Sequence, residues 1–162
     1  DTEQVTLTAA GCVTGTPLYM PPEAIENRDR VDARSDLYAV GAVGYFLLTG
    51  TPPFSKGGAY EILRQHVEDD PQPPSARLGR VIDRELETII LKALEKERER
   101  RYRSAEALSD DIRNYLRNEP ITARPPSPAY QLAKFAKRHR TIFGALTVIA
   151  IVLVLRKVDR FF

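Results

Sequence analysis

The sequence predicts a mainly helical domain that ends in a basic stretch and a short apolar run. Three observations predict it. Apolar residues recur at helical spacing through much of residues 17–140, and no strand pattern of useful length appears there. Pro, Gly and short polar residues stand where helices begin and end. Residues 142–155 then carry no charge at all.

The elements follow in order. Residues 1–16 are polar, rich in Thr and Gly, and without period, so they read as a loop. Pro21 and Pro22 open a short helical turn, with Pro22 at a first helical position. Leu37 to Leu48 is apolar apart from its glycines and too short to span a bilayer. Apolar character all round predicts a helix buried among other helices, with Asp32 as N-cap and Gly50 as left-handed C-cap. A short amphipathic helix is expected over residues 59–67 through Tyr60, Leu63 and Val67. Residues 71–80, with three prolines, read as irregular. Asp83 caps a helix whose Leu86, Ile89, Ile90, Ala93 and Leu94 share one side. After the charged turn Glu95 to Arg101, Ser104 caps another helix through Ala105, Leu108, Ile112, Tyr115 and Leu116. Four prolines in residues 119–128 predict an extended linker, and a basic helix follows with Leu132, Phe135, Ala136 and His139 on one side.

Composition narrows the function classes. A net charge of +2 is no polycation, and 43% apolar residues suffice for a real core. The single Cys12 rules out an internal disulfide framework, and His66 and His139 lie far apart with no Cys at ligand spacing, so no metal site is expected. Lys134, Lys137, Arg138, His139 and Arg140 sit directly before an apolar run, which favours a juxtamembrane cluster over a nucleic-acid patch. The chain opens on Asp1-Thr2-Glu3-Gln4 without a signal-peptide pattern and reads as starting mid-protein.

One ordered set of motifs goes further. Gly15-Thr16-Pro17-Leu18-Tyr19-Met20-Pro21-Pro22-Glu23 resembles the end of a protein kinase activation segment, with Pro21 where that family usually has Ala. Asp36 and Gly41, four residues between them, resemble the start of the family's buried central helix. Leu48-Thr49-Gly50-Thr51-Pro52-Pro53-Phe54 resembles its end, and Arg101 the arginine before the last helix. Over residues 1–118 the chain is similar to the C-terminal helical lobe of a bacterial Hanks-type (eukaryotic-like) serine/threonine protein kinase, without the N-terminal β lobe. The family's Gly-rich loop, strand lysine, His-Arg-Asp loop and Asp-Phe-Gly motif would lie upstream of Asp1.

The resemblance implies roles. Thr16 would contact the catalytic aspartate and favour a Ser or Thr acceptor. Glu23 and Arg101 would form a buried ion pair joining the activation segment to the helical core. Asp36 would bond backbone N–H groups of the catalytic loop, and Gly41 would follow it in the central helix. Thr6, Thr8 and Thr14 lie in the loop that family members phosphorylate on themselves, with Thr14 and Thr8 preferred. No catalytic, cofactor-binding or metal residue is expected in this stretch. ATP and Mg²⁺ would serve the intact parent kinase and bind nothing here.

The expected organisation is therefore activation segment (1–23), lobe helices (24–118), Pro-rich linker (119–128), basic juxtamembrane helix (129–140), transmembrane helix (141–155) and short tail (156–162). By the positive-inside rule the lobe would face the cytoplasm across the inner membrane. Length is the weak point, since fifteen residues rise ~22 Å against a hydrocarbon core of ~30 Å. Expected partners are protein substrates, the missing N-terminal lobe and the membrane, with no nucleic acid. The alternative is a pseudokinase-like, membrane-tethered interaction module without catalysis.

Overall fold

The computed structural model describes residues 16–125 and 127–138. Seven α-helices and three short 3-10 turns make up their regular structure, and no strand occurs among the described residues. The chain divides into two compact units, Asp1–Ile112 and Arg113–Phe162.

The first unit is built around α2 (Ala33–Thr49). Local chemistry fixes both of its ends. Asp32 accepts the Arg34 N–H at 2.7 Å, and the Ser35 hydroxyl accepts the Asp32 N–H at 3.2 Å, a reciprocal capping box. Gly50 sits at φ +75°, and its N–H donates to the Phe46 carbonyl at 2.7 Å. One side of α2 buries Leu37, Tyr38, Gly41, Ala42 and Tyr45.

Helix α5 (Arg84–Ala93) lies against that side. Its N-cap is Asp83, which accepts the Glu85 N–H at 3.0 Å. Ile89, Ala93 and the following Leu94 are fully buried. Removing a Leu or Ile side chain from water contributes ~1.5–3 kcal/mol each, so this contact is a main source of stability. The helices meet closely because position 41 has no side chain: a Cβ there would stand 2.8 Å from the Cβ of Ala93.

The opposite side of α2 corrects the expectation of all-round burial. Val40, Val43, Phe46 and Leu47 are 40–76% exposed. The apolar run thus reports composition, while burial depends on which neighbours are present.

Three further corrections concern shorter elements. Helix α3 (Ala59–Glu68) forms, but its inward residues are Ile62 and His66, and Tyr60 is 82% exposed. Residues 71–80 are not wholly irregular, because α4 (Pro74–Leu78) starts with proline at its first position, where no N–H is needed, and ends at Gly79, φ +60°. The Ser75 N–H donates to Glu87 at 2.7 Å, and Tyr45 Oη donates to the Gln72 carbonyl at 2.8 Å, which pins this segment to α5 and α2. Helix α6 (Ala105–Leu116) buries Leu108 and Asp111, whereas Leu116 is exposed. Ser104 caps it by accepting the Ala107 N–H at 3.3 Å. The short α1 (Pro22–Glu26) completes the set.

In the second unit, the Pro-rich stretch does not stay extended. Ile121 is buried, and its N–H donates to Tyr130 Oη at 3.0 Å. Tyr130 belongs to α7 (Pro128–Arg138), whose Tyr130 N–H is capped by Ser127 Oγ at 3.2 Å. Arg124 stacks over the Tyr130 ring, 4.4 Å from its centre. Among the described residues no helix is long and apolar enough to cross a membrane. The expected transmembrane run, 141–155, lies outside them, as do Thr6, Thr8 and Thr14.

Replacing Gly41 by Leu should lower the unfolding free energy by ~1–3 kcal/mol, because over-packing outweighs the helix propensity gained over Gly, ~1 kcal/mol. Urea denaturation checks this, and Ala93→Gly in the same chain should restore part of the loss.

Candidate functional site

Residues 16–23, the described part of the stretch that resembles an activation segment, form a shelf packed on α2 and α3. Thr16 is exposed and extended, and its carbonyl accepts the Tyr19 N–H at 3.2 Å, closing the turn Pro17–Tyr19. Met20 is buried beside that turn. Pro22 then starts α1, which brings Glu23 inward.

Glu23 meets Arg101 in a paired, fork-to-fork contact. Each guanidinium NH2 group donates to one carboxylate oxygen, both at 2.8 Å. Ser35 Oγ donates to the same carboxylate at 2.5 Å. The two charged side chains are 5% and 0% exposed. Burial alone would push the Glu23 carboxyl up, but the bonds from Arg101 and Ser35 hold it below the usual carboxylate range.

Arg101 uses all five of its N–H donors. Beyond Glu23 they reach the backbone carbonyls of Arg34 (3.1 Å), Glu95 (2.7 Å) and Lys96 (2.9 Å). Its guanidinium also lies over the Tyr38 ring, 4.9 Å from the centre. One side chain therefore ties α1, the first turn of α2 and the turn after α5 together. An outer layer repeats the theme, with Arg98 donating to Asp32 at 3.1 Å and to the Arg30 carbonyl.

A second buried cluster continues from Tyr38. Its hydroxyl lies 2.8 Å from His66 Nδ1. Burial raises the Tyr38 phenol, so it keeps its proton in this contact. Nε2 faces the Leu18 backbone without a full hydrogen bond. Phe54 meets the imidazole edge-on at 4.9 Å. Lys96 donates to the carbonyls of Gln65 (3.1 Å) and His66 (2.7 Å). Burial, then the Lys96 charge, pulls His66 down to about 4, and burial pulls Lys96 down to about 8.

The structure thus joins Glu23, Ser35 and Arg101, and places Gly41 at the α2–α5 crossing. Asp36 stands apart on the exposed side of α2 and makes no side-chain hydrogen bond to another described residue. Sequence reasoning passed over Ser35, His66 and Lys96. The i, i+4 spacing of Ile62 and His66 was the available signal for the histidine. Among the described residues no group of His, Cys, Asp or Glu has the spacing to hold a metal ion.

Arg101→Ala should cost ~3–5 kcal/mol, because it strands a buried carboxylate, and Glu23→Gln should cost less, since a neutral amide still accepts hydrogen bonds. Chemical denaturation of both variants checks the order. His66 gives a pH signature with a definite sign. Its folded value lies near 4, below the ordinary 6.5. Between those limits the unfolded chain binds the extra proton, so stability rises with pH across this window and levels off above it, by up to ~3 kcal/mol. Glu23 acts lower, contributing stability above the ordinary carboxylate value that is lost as pH falls through its depressed one. The window from pH 5 to 6.5 therefore isolates the histidine, and His66→Gln should flatten it in pH-dependent denaturation.

The protein kinase domain model matches residues 3–112 of this chain. The "Serine/threonine-protein kinase PknB" of Mycobacterium tuberculosis (strain ATCC 25618 / H37Rv) is 44% identical over 119 residues, which is 74% of this chain and 18% of that protein. The protein of that name from Mycobacterium leprae is 42% identical over 123 residues, 76% and 19% of the two chains. A "Probable serine/threonine-protein kinase PknB" of Bifidobacterium longum is 36% identical over 138 residues, 85% and 20%. The chain spans about a fifth of the length of these relatives. It belongs to the protein kinase family, in the branch of bacterial serine/threonine kinases.

Proposed function

We propose that this chain is the substrate-positioning part of a membrane-anchored serine/threonine protein kinase that moves the ATP γ-phosphoryl group to Ser or Thr of proteins in signalling. The observation that carries the reading is the saturated Arg101 centre. Phosphoryl transfer is mostly positioning and electrostatics. A peptide platform must be rigid to position an acceptor, and here the segment from Pro17 to Glu26 is fixed by a fully satisfied buried fork.

Thr16 stands exposed at the entrance to that platform, suited to contact a catalytic aspartate and an acceptor hydroxyl. Asp36 faces outward from the start of α2, where a carboxylate can accept backbone N–H groups of a catalytic loop. The family pattern that this chain resembles puts the Gly-rich phosphate loop and the metal-binding Asp-Phe-Gly motif, which take ATP and Mg²⁺, upstream of the activation segment. In this reading both are held by the segment that precedes Asp1. Thr6, Thr8 and Thr14 are the candidate phosphosites. Residues 141–155 form a single membrane span, with the basic residues before it on the cytoplasmic side.

The test uses the intact kinase and this chain side by side. The intact protein should phosphorylate Ser/Thr peptides with Mg²⁺-ATP. Asp36→Asn should lower kcat by about 10²-fold, as a misplaced catalytic loop does. Residues 1–140 alone should show neither phosphate transfer nor a nucleotide-induced thermal shift. Turnover by residues 1–140 would contradict the division of labour proposed here.

A further inference from the structure

Helix α7 is amphipathic, but its two sides are used in an unexpected way. Tyr130 and Lys134, one turn apart, are the buried residues of α7, and Tyr130 faces the 119–124 stretch through Ile121 and Arg124. The apolar side is the outward one. Leu132 is 63% exposed and Phe135 is 48% exposed, and they are three residues apart on one side. Ala129 and Ala136 extend the same side by one turn in each direction. A shallow groove of about 420 Å³ continues it from Leu132 and Phe135 toward Pro120. An ordinary surface helix does the reverse, turning its apolar stripe to the core.

Charge specifies what this side meets. No Asp or Glu occurs from position 120 to 158. Lys137 and Arg138 flank the apolar side at its C-terminal end, and both are exposed. Arg138 reaches Glu119 at 3.2 Å and lies over Phe135, so its stem covers apolar surface while its head stays polar. An outward apolar stripe flanked by cations is the pattern of a helix lying in the interface of an anionic bilayer.

We infer that α7 lies on an anionic lipid surface, with Leu132 and Phe135 inserted at the headgroup boundary and Lys137 and Arg138 at the phosphates. The inference rests in part on the membrane span proposed above. Four residue steps separate Arg138 from Ile142, at most ~14 Å of extended chain, so a buried run keeps α7 at the surface.

Site-directed fluorescence on the full 162-residue chain tests it. Cys12 is the sole cysteine, so a Cys12→Ser background accepts one environment-sensitive label at a time. The sites are Leu132→Cys, Val148→Cys as a report on the span, and Val81→Cys as a control on a side chain 96% exposed. Vesicles contain phosphatidylcholine alone or with phosphatidylglycerol, each with spin label near the headgroup or deep in the acyl chains. In anionic vesicles the label at 132 should emit to the blue and be quenched by the shallow spin label several-fold more than at 81. Without phosphatidylglycerol this quenching should fall several-fold, and equal quenching in both would overturn the role of charge. A label at 132 as aqueous as that at 81, with 148 deep, would overturn the α7 inference and leave the span intact. A shallow 132 with an aqueous 148 would support α7 and refute the span. If both are aqueous, both readings fall. A blue-shifted 132 without lipid would assign this side to protein contact and overturn the lipid surface.

Discussion

A buried guanidinium is tolerable only when its donors are used, and in this chain that condition organises the first unit. Arg101 needs five acceptors in a fixed planar fork. They come from a carboxylate on α1 and from carbonyls at the start of α2 and after α5. No lysine satisfies this geometry, since an ammonium offers three donors from one point. The positions of three elements therefore follow from one side chain. The activation-segment residues inherit that rigidity, because Glu23 lies one turn beyond the turn they form.

The second constraint is steric. Helices α2 and α5 come close because Gly41 offers no side chain to Ala93 and Leu94. That contact buries Tyr38, which then serves two centres at once: its ring faces Arg101 and its hydroxyl holds His66. Lys96 closes the circuit by binding carbonyls of α3 while its own carbonyl accepts from Arg101. The ion pair and the histidine cluster thus share one wall. A perturbation of either reaches the shelf that carries Thr16.

Much of this was legible in the sequence where the signal is local. Asp32 and Gly50 mark the ends of α2 by capping chemistry that needs no tertiary context. The motif order placed Glu23 and Arg101 together although 77 residues lie between them. What escaped depends on partners distant in the chain. The phase of α3 was misjudged because Tyr60, Leu63 and Val67 compete with Ile62 and His66, and only Tyr38 and Phe54 decide for the histidine. Helix α4 was hidden by the prolines that start it. Within the charged turn Glu95 to Arg101 the motif picked out Arg101 as buried, but not the carbonyls of Glu95 and Lys96 that its guanidinium also uses. On α7 the apolar spacing was visible, but not that this side faces outward.

The guanidinium fork, more than charge alone, fixes the shelf. Native-state hydrogen exchange of Arg101→Lys against the unaltered chain tests it most directly, read at the Met20 and Ala24 to Asn27 amides. Loss of ~3 kcal/mol of local protection corresponds to ~10²-fold faster exchange. Such acceleration is expected at those amides, with the α2–α5 core amides of Ala42 and Ile89 accelerated less. Unchanged protection across residues 20–27 in the lysine variant would contradict it.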